Sequence, residues 1–336
     1  MSSRTGIVSG DGPQGRISRR LGFLDRTRKR IAAGLCFGTV ALLTAGVCQA
    51  REVRFLTFSA VNRYGIFLRD LEQNEVQLKL DGKKVDVGYL SSGGTDTAVA
   101  IFLENSPRTA ENSVSIPQYG QINLIDRVRY ELLDDFFPPL CRIGHVMLAE
   151  FFEQIHILRD FTDDESYLLD ALNKLQPHAN GVVLDQIRVG RVIGRGVDIL
   201  KARPERRKVL FLVTRTVDRE SARNLEEYEL MLRNTGVDVF VLSLAPRFMS
   251  GPGRSFGERV NTYFFENLVK ETAGRAYLAG EYKFIEDAFT DLKGRLLNTY
   301  TIGFYVEPGP KVKDHEVEIR VSREKCRVTC RKYLVY

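Results

Sequence analysis

Three stretches of the chain are apolar at consecutive positions instead of at alternate ones. They cover Thr97–Glu104, Lys208–Thr214 and Val237–Leu244. Unalternated apolar runs of this length are typical of strands buried on both faces, as in the middle of a parallel sheet. The first run ends in a carboxylate, Glu104, and a polar turn to Arg108 follows it. Because ligands of open α/β sheets bind beyond the carboxyl ends of the strands, we expect this turn to border any functional site.

Helical patterns lie between these strands. Apolar residues recur at helical spacing in five segments, which are roughly 122–136, 165–175, 184–200, 219–234 and 285–296. Pro138-Pro139 is expected to end the first helix, and Thr162–Glu165 and Ser255–Glu258 fit capping boxes that open later ones. Strands that alternate with helices of this length predict a doubly wound, mostly parallel sheet. We assign residues 95–298 to this α/β domain.

Short β-rich segments precede and follow the α/β domain. Residues 52–90 carry brief strands with turns at Asn62–Gly65 and Asp81-Gly82, and Ser91–Gly94 reads as a linker. Residues 299–336 contain three strand patterns with no helix between them. We therefore expect the C-terminal strands to pair with residues 52–90, so that both ends of the chain form one small β-rich companion unit.

Residues 1–50 have the order of a secretory signal. A basic segment ends at Arg30, an uncharged apolar run of 17 residues covers 31–47, and small residues at a suitable cleavage site follow. Two fates are open: the segment is removed as a signal peptide, or it stays as an N-terminal membrane anchor, since 17 residues lie just within the spanning range. Either fate predicts an exported protein that is periplasmic, attached to the cell envelope or secreted.

The net charge of +6 belongs to this leader. Residues 1–50 carry eight basic and two acidic residues, whereas residues 51–336 carry 41 of each. A neutral body argues against a nucleic-acid partner, because binding to a polyanion needs a basic surface. Contact with a membrane is expected only through the N-terminal segment, if that segment is not cleaved.

Signatures of catalysis are missing from the sequence. The spacing of the four histidines matches no zinc-binding motif. Gly190–Gly196 lacks the Lys-Ser/Thr ending of a phosphate-binding loop, and the Gly-x-Ser-x-Gly motif of a nucleophilic serine does not occur. Cys141, Cys326 and Cys330 form an odd set that leaves at least one free thiol, and we expect all three to be buried or partly buried. A hydrolase built on Glu104 or Asp218 is disfavoured, because neither has a base or nucleophile beside it in the sequence. We expect no enzyme, catalytic residue or cofactor.

Six short motifs follow the leader in a fixed order. They are Asn62-x-x-Gly65 with Leu80–Lys83, Arg159–Asp164, Arg207–Thr214, Thr272–Tyr277, Tyr300–Tyr305 and Arg331–Tyr333. In this order the motifs make the chain resemble the secreted bacterial von Willebrand factor A (VWFA)-related domain family, first described in acidobacteria. The resemblance implies a von Willebrand A or Rossmann-like α/β fold and, in that fold, a metal-ion-dependent adhesion site.

The resemblance also implies where the metal ligands should lie. In such a site Asp-x-Ser-x-Ser, a later Thr and the Asp of Thr-Asp-Gly hold a divalent cation through oxygen atoms. The corresponding positions and their neighbours here are Glu104, Ser106, Arg108, Val182, Thr214, Arg215 and Asp218. Two ligand positions have become arginine and one is valine, and positive charge a few ångströms away repels a dication. We therefore expect a degenerate site without a tightly bound metal.

The two arginines allow two arrangements. Arg215 and Arg108 either form carboxylate–guanidinium pairs with Glu104 in the place of the cation, or they point to solvent.

The function that we expect is that of a non-enzymatic, adhesion-like protein–protein interaction module, with a protein partner in the cell envelope or outside it. The alternative is a structural or assembly component of the cell envelope with an inactive site. Partner contacts of the module would come from four loops at the carboxyl edge of the sheet, at Glu104–Ser115, Asn180–Val183, Arg215–Ser221 and Pro246–Phe256.

Overall fold

The computed structural model describes residues 51–94, 96–107, 113–116, 120–175, 188–215, 217–244, 256–279, 282–307, 309 and 311–336. The strands in this part of the chain are β1 Glu52–Val61, β2 Val76–Leu80, β3 Lys83–Val85, β4 Val87–Ser92, β5 Thr97–Glu104, β6 Ser113–Ile116, β7 Gly120–Asn123, β8 Gly144–Phe151, β9 Ile155–Thr162, β10 Arg207–Thr214, β11 Val237–Ser243, β12 Arg275–Leu278, β13 Tyr300–Val306, β14 Asp314–Val321, β15 Arg327–Cys330 and β16 Tyr333–Val335. The α-helices are α1 Leu124–Glu131, α2 Phe137–Ile143, α3 Glu165–Lys174, α4 Val189–Lys201, α5 Arg219–Arg223, α6 Leu225–Thr235, α7 Phe256–Lys270 and α8 Tyr282–Leu297.

The six-stranded central sheet has the strand order β12–β11–β10–β5–β8–β9. Neighbouring strands are parallel except for β9, which runs antiparallel to β8. Every residue of β5 is buried, as its unalternated sequence predicts. Numbered by their appearance in this sheet, the strands follow the order 3-2-1-4-5-6 of the doubly wound fold when the sheet is read from β9. The predicted α/β fold class is confirmed.

Helices cover both faces of this sheet. On one face Val99, Ile101 and Leu103 of β5 belong to a core that includes residues of α1, α2, α3 and α8. On the other face Ala98 and Phe102 belong to a core with residues of α4, α6 and α7. Alternate residues of one strand therefore serve two cores, which is why the strand sequence lacks polar positions.

The β-rich companion unit consists of two four-stranded sheets, β15–β1–β13–β4 and β16–β14–β2–β3. Glu52 at the start of β1 pairs with Val306 at the end of β13, and β14 pairs with β2. The sheets share a core in which Phe58 stacks on Tyr300 with ring centroids 5.3 Å apart. Strands from both ends of the chain thus build this unit, which confirms the companion unit of the predicted fold.

Arg323 links the two ends by charged hydrogen bonds. Its Nε and Nη2 donate to Oε1 and Oε2 of Glu75 at 2.7 and 2.9 Å, and its Nη1 donates to Oδ1 of Asp70 at 2.7 Å. The guanidinium of Arg323, helped by the main-chain N–H of Glu72, lowers the pKa of Glu75 to about 2. The fork geometry suits a bidentate pair between Arg and a carboxylate.

A buried charged cluster connects the C-terminal strands to the central sheet. Asp238 of β11 lies 3.5 Å from Nε of Arg207 through Oδ2 and 4.0 Å from Nη2 of Arg331 through Oδ1. The main-chain N–H of Ala273 also donates to Asp238 Oδ1 at 3.2 Å. All three side chains of the cluster are buried, and burial lowers the pKa of both guanidinium groups. One carboxylate therefore compensates two buried cations.

The prediction that Pro138-Pro139 ends a helix is wrong. α1 continues through a π-helical segment, Leu132–Phe136, into α2, and the prolines lie in the first turn of α2. Proline is compatible with a first turn because the N–H groups there have no partner within the helix. The prolines thus mark the start of a new helical segment instead of a stop.

Three smaller predictions also need correction. α3 is capped by Asp164, which accepts from Ser166 N–H at 2.9 Å, whereas the hydroxyl of Thr162 accepts from Asp164 N–H. The helix expected over 219–234 is divided at Asn224 into α5 and α6. The strand expected over 327–335 is divided into β15 and β16, which belong to different sheets. The capping residue expected at Ser255 and the start expected for α4 near residue 184 lie outside the described residues.

Among the described residues, none of the helices has the length and apolar content needed to cross a membrane.

Candidate functional site

The order of the central strands creates one switch point, between β5 and β10. From this position the chain winds outward through β8 and β9 on one side and through β11 and β12 on the other. Glu104 is the last residue of β5 and Thr214 is the last residue of β10, and the two strands are parallel neighbours. Open α/β sheets form their ligand crevice at this place, beyond the carboxyl ends of the strands.

The carboxylate of Glu104 is buried at this switch point, with 2% of the residue exposed. Its Oε1 accepts from the hydroxyl of Ser106 at 2.8 Å. Its Oε2 accepts from the hydroxyl of Thr214 and from the main-chain N–H of Arg215, both at 2.7 Å. Hydroxyl and main-chain donors aimed at a buried carboxylate stabilise its charged form in place of water.

Arg215 meets Glu104 through its main chain and not through its guanidinium. The Nε atom of Arg215 is buried and has no hydrogen-bond partner among the described residues. No ion pair joins this guanidinium to Glu104 among the described residues, so this part of the pairing arrangement is not observed. Arg108, the other arginine of that hypothesis, lies outside the described residues, as does Val182.

Further hydrogen bonds extend this arrangement to the neighbouring strands. Asn105 donates through its main chain to Phe151 O at 3.0 Å and through Nδ2 to Glu150 Oε2 at 2.6 Å, which reaches β8. The hydroxyl of Ser243, at the end of β11, donates to Arg215 O at 3.1 Å. The carboxyl ends of four adjacent strands are thereby connected at the switch point.

Asp218 has a separate role from Glu104. It is the N-cap of α5, where Oδ1 accepts from Ser221 N–H at 2.8 Å. Its Oδ2 accepts from the Ser221 hydroxyl at 2.5 Å and from Val189 N–H at 2.9 Å, at the start of α4. Ser221 Oγ in turn accepts from Gly190 N–H at 2.8 Å. Asp218 and Ser221 thus satisfy the first N–H groups of two helices.

Tyr228 of α6 closes this helix junction. A Cβ atom added to Gly190 would lie 1.9 Å from Tyr228 Oη, so the tyrosine occupies the space that a side chain at position 190 would need. Burial raises the pKa of Tyr228, with the nearby Ser221 hydroxyl acting in the opposite sense. A side chain at position 190 would therefore require the ring of Tyr228 to move.

The structure brings together Glu104, Ser106, Thr214 and the main chain of Arg215, and it places Asp218 at the adjacent helix junction. The sequence predicted Asn105 and Ser221 only as members of the partner-contact loops, and it missed Glu150, Ser243 and Asn261. Ser243 could have been found, because it ends an unalternated strand as Glu104 and Thr214 do. Asn261 of α7, whose Oδ1 accepts from Val217 N–H at 2.9 Å, follows no pattern in the sequence.

Other polar groups of the described residues form separate pairs. His145 Nδ1 lies 3.0 Å from Glu205 Oε1, and His315 Nδ1 lies 2.8 Å from Asp81 Oδ2. Cys141 and Cys330 are unbridged thiols whose pKa is raised to about 11 by burial, which disfavours the reactive thiolate. Across the described ranges, no group of three or more His, Cys, Asp or Glu side chains is placed to hold a metal ion.

No protein-family model and no curated protein matches the sequence. Solved structures similar to the chain include the PilB minor pilin from Streptococcus sanguinis, with 12% identity over 59% of this chain and 60% of the pilin and a TM-score of 0.45. A von Willebrand factor type A structure from Catenulispora acidiphila has 10% identity over 85% of this chain and 74% of its own, with a TM-score of 0.40.

BatB, a conserved hypothetical protein from Bacteroides thetaiotaomicron, is 14% identical over 58% of this chain and 97% of its own, with a TM-score of 0.38. The chain spans about three fifths of the length of the pilin. At these identities and TM-scores, the three structures carry no conclusion about the partner or the site of this chain.

Proposed function

We propose that this chain is an exported, non-enzymatic interaction module that binds a protein partner through the loops at the carboxyl edge of its central sheet. In this proposal, residues 95–298 form a VWFA-like domain, and the strands of residues 52–90 and 299–336 form its companion unit. The adhesion site of that domain type is degenerate here and works without a metal ion.

The observation that carries metal independence is the hydrogen bonding of Glu104. Both carboxylate oxygens face donors, namely Ser106 Oγ on one side and Thr214 Oγ1 with Arg215 N–H on the other. A divalent cation in this position would compete with those donors for the carboxylate oxygens. Donors within the chain therefore take the place of the cation in stabilising the buried charge.

A metal titration tests this part of the proposal. We expect Mg²⁺ or Mn²⁺ to leave the midpoint of thermal unfolding of the full chain unchanged, because donors of the chain already bind both Glu104 oxygens and two ligand positions are arginine. A second protein with Arg108→Ser and Arg215→Asp regains two oxygen ligands, and its midpoint should rise when Mg²⁺ is added. A metal-dependent rise in the unsubstituted protein contradicts metal independence, and a flat response of the double variant contradicts the idea of a degenerate site.

Partner binding is tested by site-specific photo-crosslinking in an envelope preparation. Arg219 is exposed at the start of α5, beside the carboxyl edge, and Lys201 is exposed at the end of α4, which leads toward the opposite edge of the sheet. A crosslinking residue at position 219 should capture a defined partner that one at position 201 does not capture. Equal capture at both positions, or none at position 219, contradicts the proposal.

The alternative is an assembly component of the cell envelope, and one observation favours it. Tyr64 and Ile66 of the companion unit are 70% and 63% exposed around the Asn62–Gly65 turn, which belongs to a different sheet system from the switch point. If the companion unit binds the partner, Tyr64→Ser and Ile66→Ser abolish the complex while Arg219→Glu leaves it intact. The interaction module predicts the reverse pattern.

Export rests on residues 1–50 of the sequence. Their basic, apolar and small-residue order is that of a secretory signal. Mass spectrometry of the N-terminus of the protein recovered from cells distinguishes a cleaved leader from a retained anchor.

A further inference from the structure

An exposed cluster of apolar side chains lies on the companion unit. It consists of Val53 and Phe55 on β1, Tyr305 on β13 and Tyr89 on β4, and we call it the aromatic face. Val53 is paired with Tyr305, and Gly303 is paired with both Phe55 and Tyr89. Because side chains alternate across a strand, these four residues share the outer surface of the sheet, while Leu56 and Phe304 face the buried core.

Glycine allows the aromatic rings to lie close to the sheet. A Cβ atom added to Gly303 would lie 3.1 Å from Cε1 of Phe55 and 3.3 Å from Cβ of Tyr89. A Cβ atom added to Gly88 would lie 3.8 Å from Cε2 of Tyr305. Since no side chain separates the three aromatic residues, they form one continuous surface.

The aromatic face is open within the described structure. Val53, Phe55, Tyr89 and Tyr305 are 45%, 38%, 45% and 58% exposed. At that exposure, four large side chains offer on the order of 300–400 Å². A stable protein–protein interface needs ~800 Å² from each partner, so this surface is about half of what a dimer of this chain requires.

The apolar segment that precedes β1 in the sequence indicates which surface the aromatic face contacts. The apolar run of residues 31–47 ends six residues before Val53. Six residues span at most about 20 Å when fully extended. If residues 31–47 stay in a bilayer as an anchor, Val53 cannot lie farther than that from the end of the anchor.

The chemistry of the aromatic face suits the headgroup level of a membrane. Tyrosine is enriched there because its ring is apolar and its hydroxyl is polar. Two paired arginines border the face: Arg51, which precedes β1, lies 3.8 Å from Glu307, and Arg206 lies 3.4 Å from Asp96 with its guanidinium 4.6 Å from the centre of the Phe55 ring.

We propose that, in the chain that keeps residues 31–47, the aromatic face lies on the lipid headgroups of the membrane. This contact goes beyond the proposed function and does not involve the carboxyl edge of the central sheet. It would hold one surface of the companion unit on the membrane and restrict how the module is oriented above it.

The absence of tryptophan from the sequence makes a direct test possible. Tyr305→Trp places a single indole reporter on the aromatic face, and Tyr263→Trp places one on α7, where the tyrosine is 66% exposed. Each full-length variant is reconstituted in vesicles of phosphatidylcholine with a minority of phosphatidylglycerol. We expect the indole emission of the Tyr305→Trp protein to shift to the blue and to lose intensity with brominated lipids. The Tyr263→Trp protein should keep the emission of a solvated indole.

Two results would overturn the proposal. In the first, acrylamide in the aqueous phase quenches the indole at position 305 as strongly as the indole at position 263. That result shows that the aromatic face is not on the membrane. A blue shift that grows with protein concentration and is insensitive to brominated lipid assigns the face to a second copy of the chain. Circular dichroism of both variants confirms folding, and a further Phe55→Ser substitution in the Tyr305→Trp protein should reduce quenching by brominated lipid. Neither overturning result bears on binding at the carboxyl edge.

Discussion

The hydroxyl of Thr214 donates a 2.7 Å hydrogen bond to the buried carboxylate of Glu104 and so joins the carboxyl ends of the two strands at the switch point. Arg215 N–H reaches the same oxygen from the residue that follows. Hydrogen bonds to Glu104 therefore hold β5 and β10 together at the switch point of the sheet. The donors of these bonds belong to the chain itself.

Removing the Thr214 hydroxyl should destabilise the protein modestly. Thr214→Val keeps the shape of the side chain and deletes one donor to Glu104, so we expect the free energy of unfolding to fall by about 1–2 kcal/mol. Glu104→Gln should cost more, about 3 kcal/mol, because an amide N–H₂ would face the donors of the site. Urea unfolding followed by circular dichroism measures both changes.

The control is Thr301→Val on β13. Thr301 is half-buried, and its hydroxyl makes no hydrogen bond with any other described residue. Its replacement should leave the free energy of unfolding nearly unchanged. A loss as large as that of Thr214→Val would show that the hydrogen bond to Glu104 contributes nothing specific.

Two glycines of α4 should respond to alanine in opposite directions. At Gly190 a new Cβ atom would lie 1.9 Å from Tyr228 Oη, whereas at Gly194 it would have no neighbour within 4 Å. Gly194→Ala should stabilise the helix by about 0.5–1 kcal/mol, because alanine loses less backbone entropy. Gly190→Ala should destabilise the protein by about 1–3 kcal/mol, because the ring of Tyr228 would have to move aside. The midpoints of thermal unfolding test both signs, and a stabilising Gly190→Ala would contradict the close packing of Tyr228.

The bond between Arg323 and Glu75 predicts a dependence of stability on acid. The pKa of Glu75 is lowered from 4.5 to about 2, so the folded state favours the carboxylate. This stabilising contribution is complete above about pH 4.5 and is lost as the pH falls toward about 2. Glu75→Gln should therefore lower the urea midpoint at pH 6, and the difference from the unsubstituted protein should shrink as the pH approaches 2.

Glu324→Gln provides the matched comparison for that experiment. Glu324 is exposed, lies next to Arg323 in sequence and makes no ion pair within the described part of the chain. The urea midpoint of this variant should equal that of the unsubstituted protein at every pH. If Glu75→Gln and Glu324→Gln give the same curves, the charged link between the two ends does not contribute to stability.

Asp238 should be costly to remove. Asp238→Ala leaves Arg207 and Arg331 buried with no carboxylate between them, and breaking a buried pair in this way costs about 3–5 kcal/mol. Arg331→Met removes one of the two cations and fills similar volume, so we expect it to cost much less. Denaturant unfolding of the two variants measures both losses of free energy of unfolding. A smaller loss for Asp238→Ala than for Arg331→Met would contradict the role of Asp238 as the shared counter-ion.

The sequence predicted the parts of the fold that depend on local pattern. β5, β10 and β11 are visible because strands buried on both faces contain few polar residues, and the pairing of the two ends follows from strand patterns that lack crossover helices. Pro138 misled the prediction because a proline reads as a stop, while its cost depends on whether it lies in a first turn or in a helix interior. That distinction appears only in three dimensions.

The candidate site was predicted in position but not in its bonding. Glu104 and Thr214 could be placed at one edge because parallel strands end together. The sequence could not show that Arg215 uses its main chain toward Glu104, since every residue except proline carries the same N–H. Bonds such as that of Asn261 to Val217 join residues 44 positions apart and depend on tertiary packing.

The pairing of β1 with β13 also has a consequence for the order of events during synthesis. Glu52 leaves the ribosome more than two hundred residues before its partner Val306, and β2 waits equally long for β14. The central sheet, by contrast, has all of its strands once residue 278 has emerged. The companion unit is thus the last part of the protein that can assemble. Its first strands, β1 and β2, spend most of translation without the strands with which they later pair.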